Sequence, residues 1–123
     1  MEVELCSVEK YYQMYEQGVF DNLRVELIEG EIVNKLSLSP SEATAICLID
    51  NVLRNVFGNG FYVRSQFPMS FSKITEPEPN VAVVKGEIRD FIKSHPKTAE
   101  LIVEVSDTTL SYDCNRKDRR AHV

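Results

Sequence analysis

Residues 39–57, SPSEATAICLIDNVLRNVF, constrain the fold of this chain more than any other stretch. Ser39 is an N-cap residue, Pro40 has the fixed φ that suits the first helical position, and Glu42 stands where a carboxylate can reach back to the cap N–H. These signals predict a helix from about Pro40 to Phe57, ended by Gly58-Asn59-Gly60. Ala45, Ile49, Val52 and Val56 recur at i, i+4, i+7 and i+11, and Ile46 and Leu53 widen the stripe. A helix with such a face must lie against a sheet or another helix.

The segments on either side alternate between helical and extended patterns. Ser7 can cap a first helix through SVEKYYQMYEQG, with Tyr11, Met14 and Tyr15 on one face. RVELIEGEIVNKL reads as two short strands around Glu29-Gly30, the glycine supplying the positive φ of a tight hairpin. FYVRSQFPMSF has period two and reads as a third strand, with Pro68 marking an edge or bulge. After the stiff PEP turn, NVAVV is a short apolar strand with Asn80 at its mouth. IRDFIKSHP follows as a short helix, AELIVEVSD as a β-rich strand, and SYDCNRKDRRAHV as the start of a helix capped near Ser111 or Asp113. The order describes an α/β sandwich on a mixed sheet.

Composition limits the functions worth considering. The 123 residues suit one domain, and the hydrophobic fraction of 43% with 27% charged residues excludes disordered and fibrous classes. No apolar run approaches the roughly 20 residues that cross a bilayer. The N-terminal MEVELCSVEK has neither a basic nor an apolar targeting region, so a cytoplasmic location without a membrane partner is expected. Cys6, Cys47 and Cys114 are far apart and form no CxxC, which argues against a disulfide framework or a thiolate zinc site and favours buried or inert thiols. The net charge of -5 does not advertise a nucleic-acid binder. Arg116, Lys117, Arg119 and Arg120 nevertheless crowd one segment, either as a phosphate-facing patch or as a solvated helix end.

One carboxylate stands out. In the strand LIVEV, Glu104 and Ser106 share one face while Val103 and Val105 share the other. A glutamate in that setting is costly to bury without a cation, a donor or a proton. A metal ion, Lys117 or backbone donors would each serve, as would emergence into solvent at the strand end. His95 and His122 stand with no serine or cysteine in a recognisable triad, and Gly58-x-Gly60 follows a helix rather than opening one. Tyr62, Phe67 and Phe71 suit core packing better than base stacking.

The succession RVELIEGEIV, SPSEATAICLIDNVLRNVFG, PEPNVAVV and LIVEVSDTTLSYDCNRK resembles the Uma-two family of restriction-endonuclease-like proteins, in the PD-(D/E)XK nuclease superfamily. The resemblance spans essentially the whole chain and implies a restriction-endonuclease-like mixed sheet flanked by helices. In that family a PD dipeptide begins one strand, an EVxS-like segment lies in the next, and a lysine is displaced onto the following helix. Here the matching positions are Pro79-Asn80, Glu104 with Ser106, and Lys117; Glu26 in VELIEG matches a further family glutamate. Ala43 and Thr44 stand where a histidine is expected, and the family continues beyond the lysine through a YWxVD-like segment, so the resemblance implies a C-terminally shortened single domain over 1–123.

The resemblance implies a metal-dependent DNA endonuclease with Glu104, Lys117 and Glu26 as catalytic residues and Asn80 with Glu104 at a Mg²⁺ site. Asn80 replaces an anionic ligand by a neutral amide, so metal affinity and cleavage are expected to be reduced or absent. The alternative is a non-catalytic homologue serving as a binding or assembly module. DNA is the expected partner, together with a second copy of the chain in a homo-oligomer.

Overall fold

The computed structural model describes residues 5–106, 111–112 and 120–122. In chain order the elements are α1 (Val8–Glu16), β1 (Val25–Ile28), β2 (Glu31–Asn34), α2 (Pro40–Phe57), β3 (Phe61–Arg64), β4 (Val81–Lys85), a 3-10 turn (Ile88–Phe91), β5 (Leu101–Glu104), β6 (Ser111–Tyr112) and β7 (Arg120–His122). The capping box predicted for α2 is closed at both bonds. Ser39 Oγ accepts the Glu42 N–H at 3.2 Å, and Glu42 Oε1 accepts the Ser39 N–H at 3.1 Å. Ser7 caps α1 by accepting the Lys10 N–H at 3.1 Å.

β1 and β2 form a separate antiparallel hairpin. Its turn carries Glu29 at φ 48 and Gly30 at φ 81, and a Cβ at Gly30 would stand 2.7 Å from that of Leu5, so this position needs glycine twice over. The main sheet runs in the order β3-β4-β5-β7-β6. All of its neighbours are antiparallel except β5 and β7, which are parallel, so the sheet is mixed as expected.

Alternation along β3, β4 and β5 divides the core between the two faces of this sheet. Val63, Val81, Val83 and Val103 pack against Ile46 of α2. Ala82, Val84 and Ile102 face the other way and pack with Met69. A third cluster, Cys6, Tyr11, Phe20, Val25 and Leu27, joins α1 to the hairpin, and the Tyr11 hydroxyl donates to the Val25 carbonyl at 3.1 Å.

Several expectations need correction. The buried stripe of α2 is Ile46 with Ile49, Leu53 and Phe57; Val52 and Val56 are exposed, because the sheet meets the helix about one residue further round. The third strand stops at Arg64, since Gln66 has a φ of 63 and turns the chain out of extended geometry before Pro68. Only four residues of IRDFIKSHP are helical, as a 3-10 turn. Ser111–Tyr112 and Arg120–His122 are extended rather than helical, because backbone pairing along the β5 side of the sheet takes precedence over the local cap signal. Cys6 is buried but Cys47 is exposed on α2. Tyr15 is 43% exposed, whereas Tyr11 on the same face of α1 is buried. Asp113, Cys114 and Lys117 lie outside the described residues.

Candidate functional site

β4 and β5 pair with Val81 opposite Val103. Carried one residue further, that register sets Asn80 opposite Glu104 at one end of the sheet, on the face of Ala82 and Ile102. The parallel register on the other side places His122 of β7 beside Glu104. Asn80 is buried and Glu104 half-buried. The Asn80 Oδ1 accepts the Val105 N–H at 2.7 Å, satisfying a backbone donor just past the end of the β5 ladder.

The hairpin holds the turn that delivers Asn80. Glu26 Oε2 accepts the Glu78 N–H at 2.8 Å, and Lys35 Nζ donates to the Glu78 carbonyl at 2.9 Å. From the other side the Gln66 N–H bonds the Pro79 carbonyl at 3.0 Å and the Met69 N–H bonds the Pro77 carbonyl at 2.9 Å. Pro77 and Pro79 are fully buried. The stiffness read in PEP therefore has a structural cause: two prolines with fixed φ, clamped by bonds from both flanks. The β4–β5 register, continued by one residue, sets Asn80 across from Glu104, and the Glu26 side chain bonds the backbone of the turn before Asn80; Lys117 lies outside the described residues.

Three polar residues near this end of the molecule carried no functional signal in the sequence. Glu76 is buried; its Oε1 accepts the Ser70 hydroxyl at 2.5 Å and its Oε2 accepts the Tyr12 hydroxyl. Burial first, and then the Glu76 carboxylate, push the Tyr12 phenol well above its usual value. Arg64 is 6% exposed, with its guanidinium 5.4 Å from the Tyr62 ring centroid and 5.5 Å from that of Phe67. Its Nη2 donates to the Pro68 carbonyl at 3.0 Å, while burial draws its pKa down. Gln66 combines its left-handed φ with a buried Oε1 that has no hydrogen-bond partner among the described residues. Each stands in a run such as VRSQFP or ITEPEP, where a polar residue reads as surface unless its tertiary partners are known.

On the other side of the sheet, Asp50 of α2 accepts the Ser65 hydroxyl at 2.6 Å and is paired with Arg54. Burial alone would raise this carboxyl, but the bonds from Arg54 and Ser65 outweigh it and hold the pKa below the usual range.

The row Asn80–Glu104 is a poor match for a hard divalent cation. It offers one carboxylate and one neutral amide whose oxygen already accepts a backbone N–H. Magnesium is bound through carboxylates and water at about 2.0–2.1 Å. Among the described residues no three His, Cys, Asp or Glu side chains are grouped as a ligand set. Nor is any described helix long and apolar enough to cross a membrane.

The model of the Uma2 family, described as "Putative restriction endonuclease", matches residues 8–120. The mixed α/β sheet and flanking helices are consistent with a restriction-endonuclease-like fold. No curated protein matches the chain.

Proposed function

Because the chain belongs to the Uma2 family, we propose that it is a restriction-endonuclease-like domain that engages DNA but hydrolyses its phosphodiester bonds weakly or not at all. The observation that carries this reading is Asn80. It occupies the place opposite Glu104 where the family resemblance expects an aspartate, and its oxygen is committed to the Val105 N–H. A second carboxylate there would supply the negative charge that a divalent ion needs to polarise a phosphate and activate water. Glu104 alone leaves the row short of that charge, and Glu26 acts by holding the Glu78 backbone in the turn before Asn80.

The test is nicking of supercoiled plasmid in Mg²⁺ or Mn²⁺ by the natural chain, by Asn80→Asp and by Asn80→Asp with Glu104→Gln. Nicking by Asn80→Asp alone supports the reading. Equal nicking by the natural chain and Asn80→Asp overturns it.

A specific observation favours the alternative of an assembly module. Leu48, Val52 and Val56 stand 60%, 58% and 70% exposed along one side of α2. Thr44 and Asn55 beside them are uncharged, in a chain of net charge -5. A two-fold pairing sets like against like, so an uncharged helix face is compatible with a second copy of itself. In this reading Val52→Glu converts a dimer to a monomer in sedimentation velocity; an unchanged sedimentation coefficient removes the support.

A further inference from the structure

Gln66 carries two unfavourable features at one position. Its φ of 63 is left-handed, a region that suits glycine and strains a long side chain. Its Oε1 is a buried acceptor without a donor among the described residues, and an unmade buried hydrogen bond costs stability. The Gln66 N–H bond to the Pro79 carbonyl fixes the residue beside the turn that delivers Asn80. Strain and an unsatisfied acceptor at one residue point to a use outside the fold.

Gln66 also lines a cleft of about 350 Å³ between α2 and the segment after β3. Leu38 and Ile46 give the cleft an apolar wall, and Cys47, Asn51 and Ser65 bring polar atoms to its lining. Among the described residues the lining holds no lysine or arginine, which favours an uncharged ring over a phosphate as its occupant. Asp50 does not make it repellent to a nucleic acid, because its charge is met by Arg54 and the Ser65 hydroxyl. An apolar wall with a few placed polar groups suits a planar heteroaromatic ring whose edge carries N–H donors.

We propose that this cleft receives a single unstacked nucleobase bearing an exocyclic amine, which donates to the Gln66 side-chain carbonyl while the ring lies against Leu38 and Ile46. The inference rests on the reading that the chain engages DNA, and deepens it by assigning a base-recognition site on the α2 side of the sheet, the face opposite that of the Asn80–Glu104 row. Rotation of the Gln66 side chain toward the cleft exchanges an unmade bond for one to the ligand. Recognition of a base outside its stack through its hydrogen-bonding edge is physically accessible in single-stranded nucleic acid, where little pairing energy has to be overcome.

The experiment is fluorescence anisotropy of the full chain with two labelled single-stranded oligonucleotides, one all thymine and one with a single central adenine. Gln66→Met keeps the length and the strain but lacks the acceptor; Gln66→Gly removes both the acceptor and the strain. The natural chain is expected to bind the adenine-containing strand about tenfold more tightly, in line with one well-placed base contact. Both variants are expected to bind the two strands alike, at the all-thymine level, with Gln66→Gly melting no lower than the natural chain. Retained adenine preference in the variants, or none in the natural chain, overturns the base site while leaving DNA engagement standing. A Gln66→Gly variant that melts well below the natural chain also overturns it, by making Gln66 a structural support. If neither strand binds at all, the DNA reading falls and this site with it.

Discussion

The side-chain oxygen of Asn80 lies 2.7 Å from the Val105 nitrogen and accepts its N–H, so the residue that precedes β4 closes the backbone just beyond β5. An aspartate could make the same bond. What the amide lacks is charge, which means that the tie between the strands is kept while an aspartate's negative charge is not supplied at this position. Structure and chemistry are separable at this position, and substitution can tell them apart.

Asn80→Ala removes the acceptor and leaves the Val105 N–H to find another. The expected cost is about 1 kcal/mol, at the low end of the penalty for an unmade bond because the donor is only partly buried. Asn80→Asp keeps an acceptor and should lose much less. Urea unfolding of both variants checks the pair; equal losses would show that the Val105 bond contributes little to stability.

Tyr12 donates to the buried Glu76 carboxylate, which also accepts from Ser70. Tyr12→Phe strands one carboxylate oxygen and is expected to cost about 1.5–3 kcal/mol, as for hydrogen bonds to charged groups. Burial and the Glu76 charge raise the Tyr12 pKa above its ordinary 10.0. The folded state therefore holds this proton more tightly than the unfolded chain, so the contribution is complete below about pH 10 and is lost as the pH rises beyond it. Unfolding midpoints followed upward from pH 9 should fall more steeply for the natural chain than for Tyr12→Phe. Parallel pH curves would contradict the assignment.

Asp50 ties α2 to the end of β3 through Ser65 and pairs with Arg54. Its pKa is lowered in the fold, so its contribution is present above the unfolded value of about 3.9 and is lost as the pH falls through the folded one. Arg54 is more than half exposed, which limits the pair to about 0.5–1 kcal/mol. Asp50→Asn should therefore be the less stable protein at pH 6, and the difference should close in acid. A difference that persists unchanged at pH 2 would mean that Asp50 acts through packing instead.

The parts of this fold legible in the sequence are those governed by short-range rules. Ser39, Pro40 and Glu42 define the start of α2 because capping bonds span only three residues, and Glu29-Gly30 defines the hairpin because its turn needs positive φ. Rotation of the α2 stripe was not legible: Val52 and Leu53 are both apolar, and only the position of β3 and β4 decides which one faces inward. The extent of β3 was hidden for a similar reason, since alternation continues through Gln66 and Phe67 while the backbone does not. At the candidate site, the sequence shows two adjacent apolar strands, and the antiparallel register Val81↔Val103 that aligns their ends comes from the sheet. Glu76, Arg64 and Gln66 are defined by partners or voids far away in the sequence, which no local pattern encodes.

In the proposed reading, position 80 withholds one negative charge from a divalent-ion site that would be built around Glu104. Calorimetric titration of Mn²⁺ and Mg²⁺ into the natural chain and into Asn80→Asp measures the effect of that charge. Measurable binding by Asn80→Asp, with none or far weaker binding by the natural chain, is the expected result. Equal affinity in the two proteins would contradict it and place the ion, and any activity, away from Asn80.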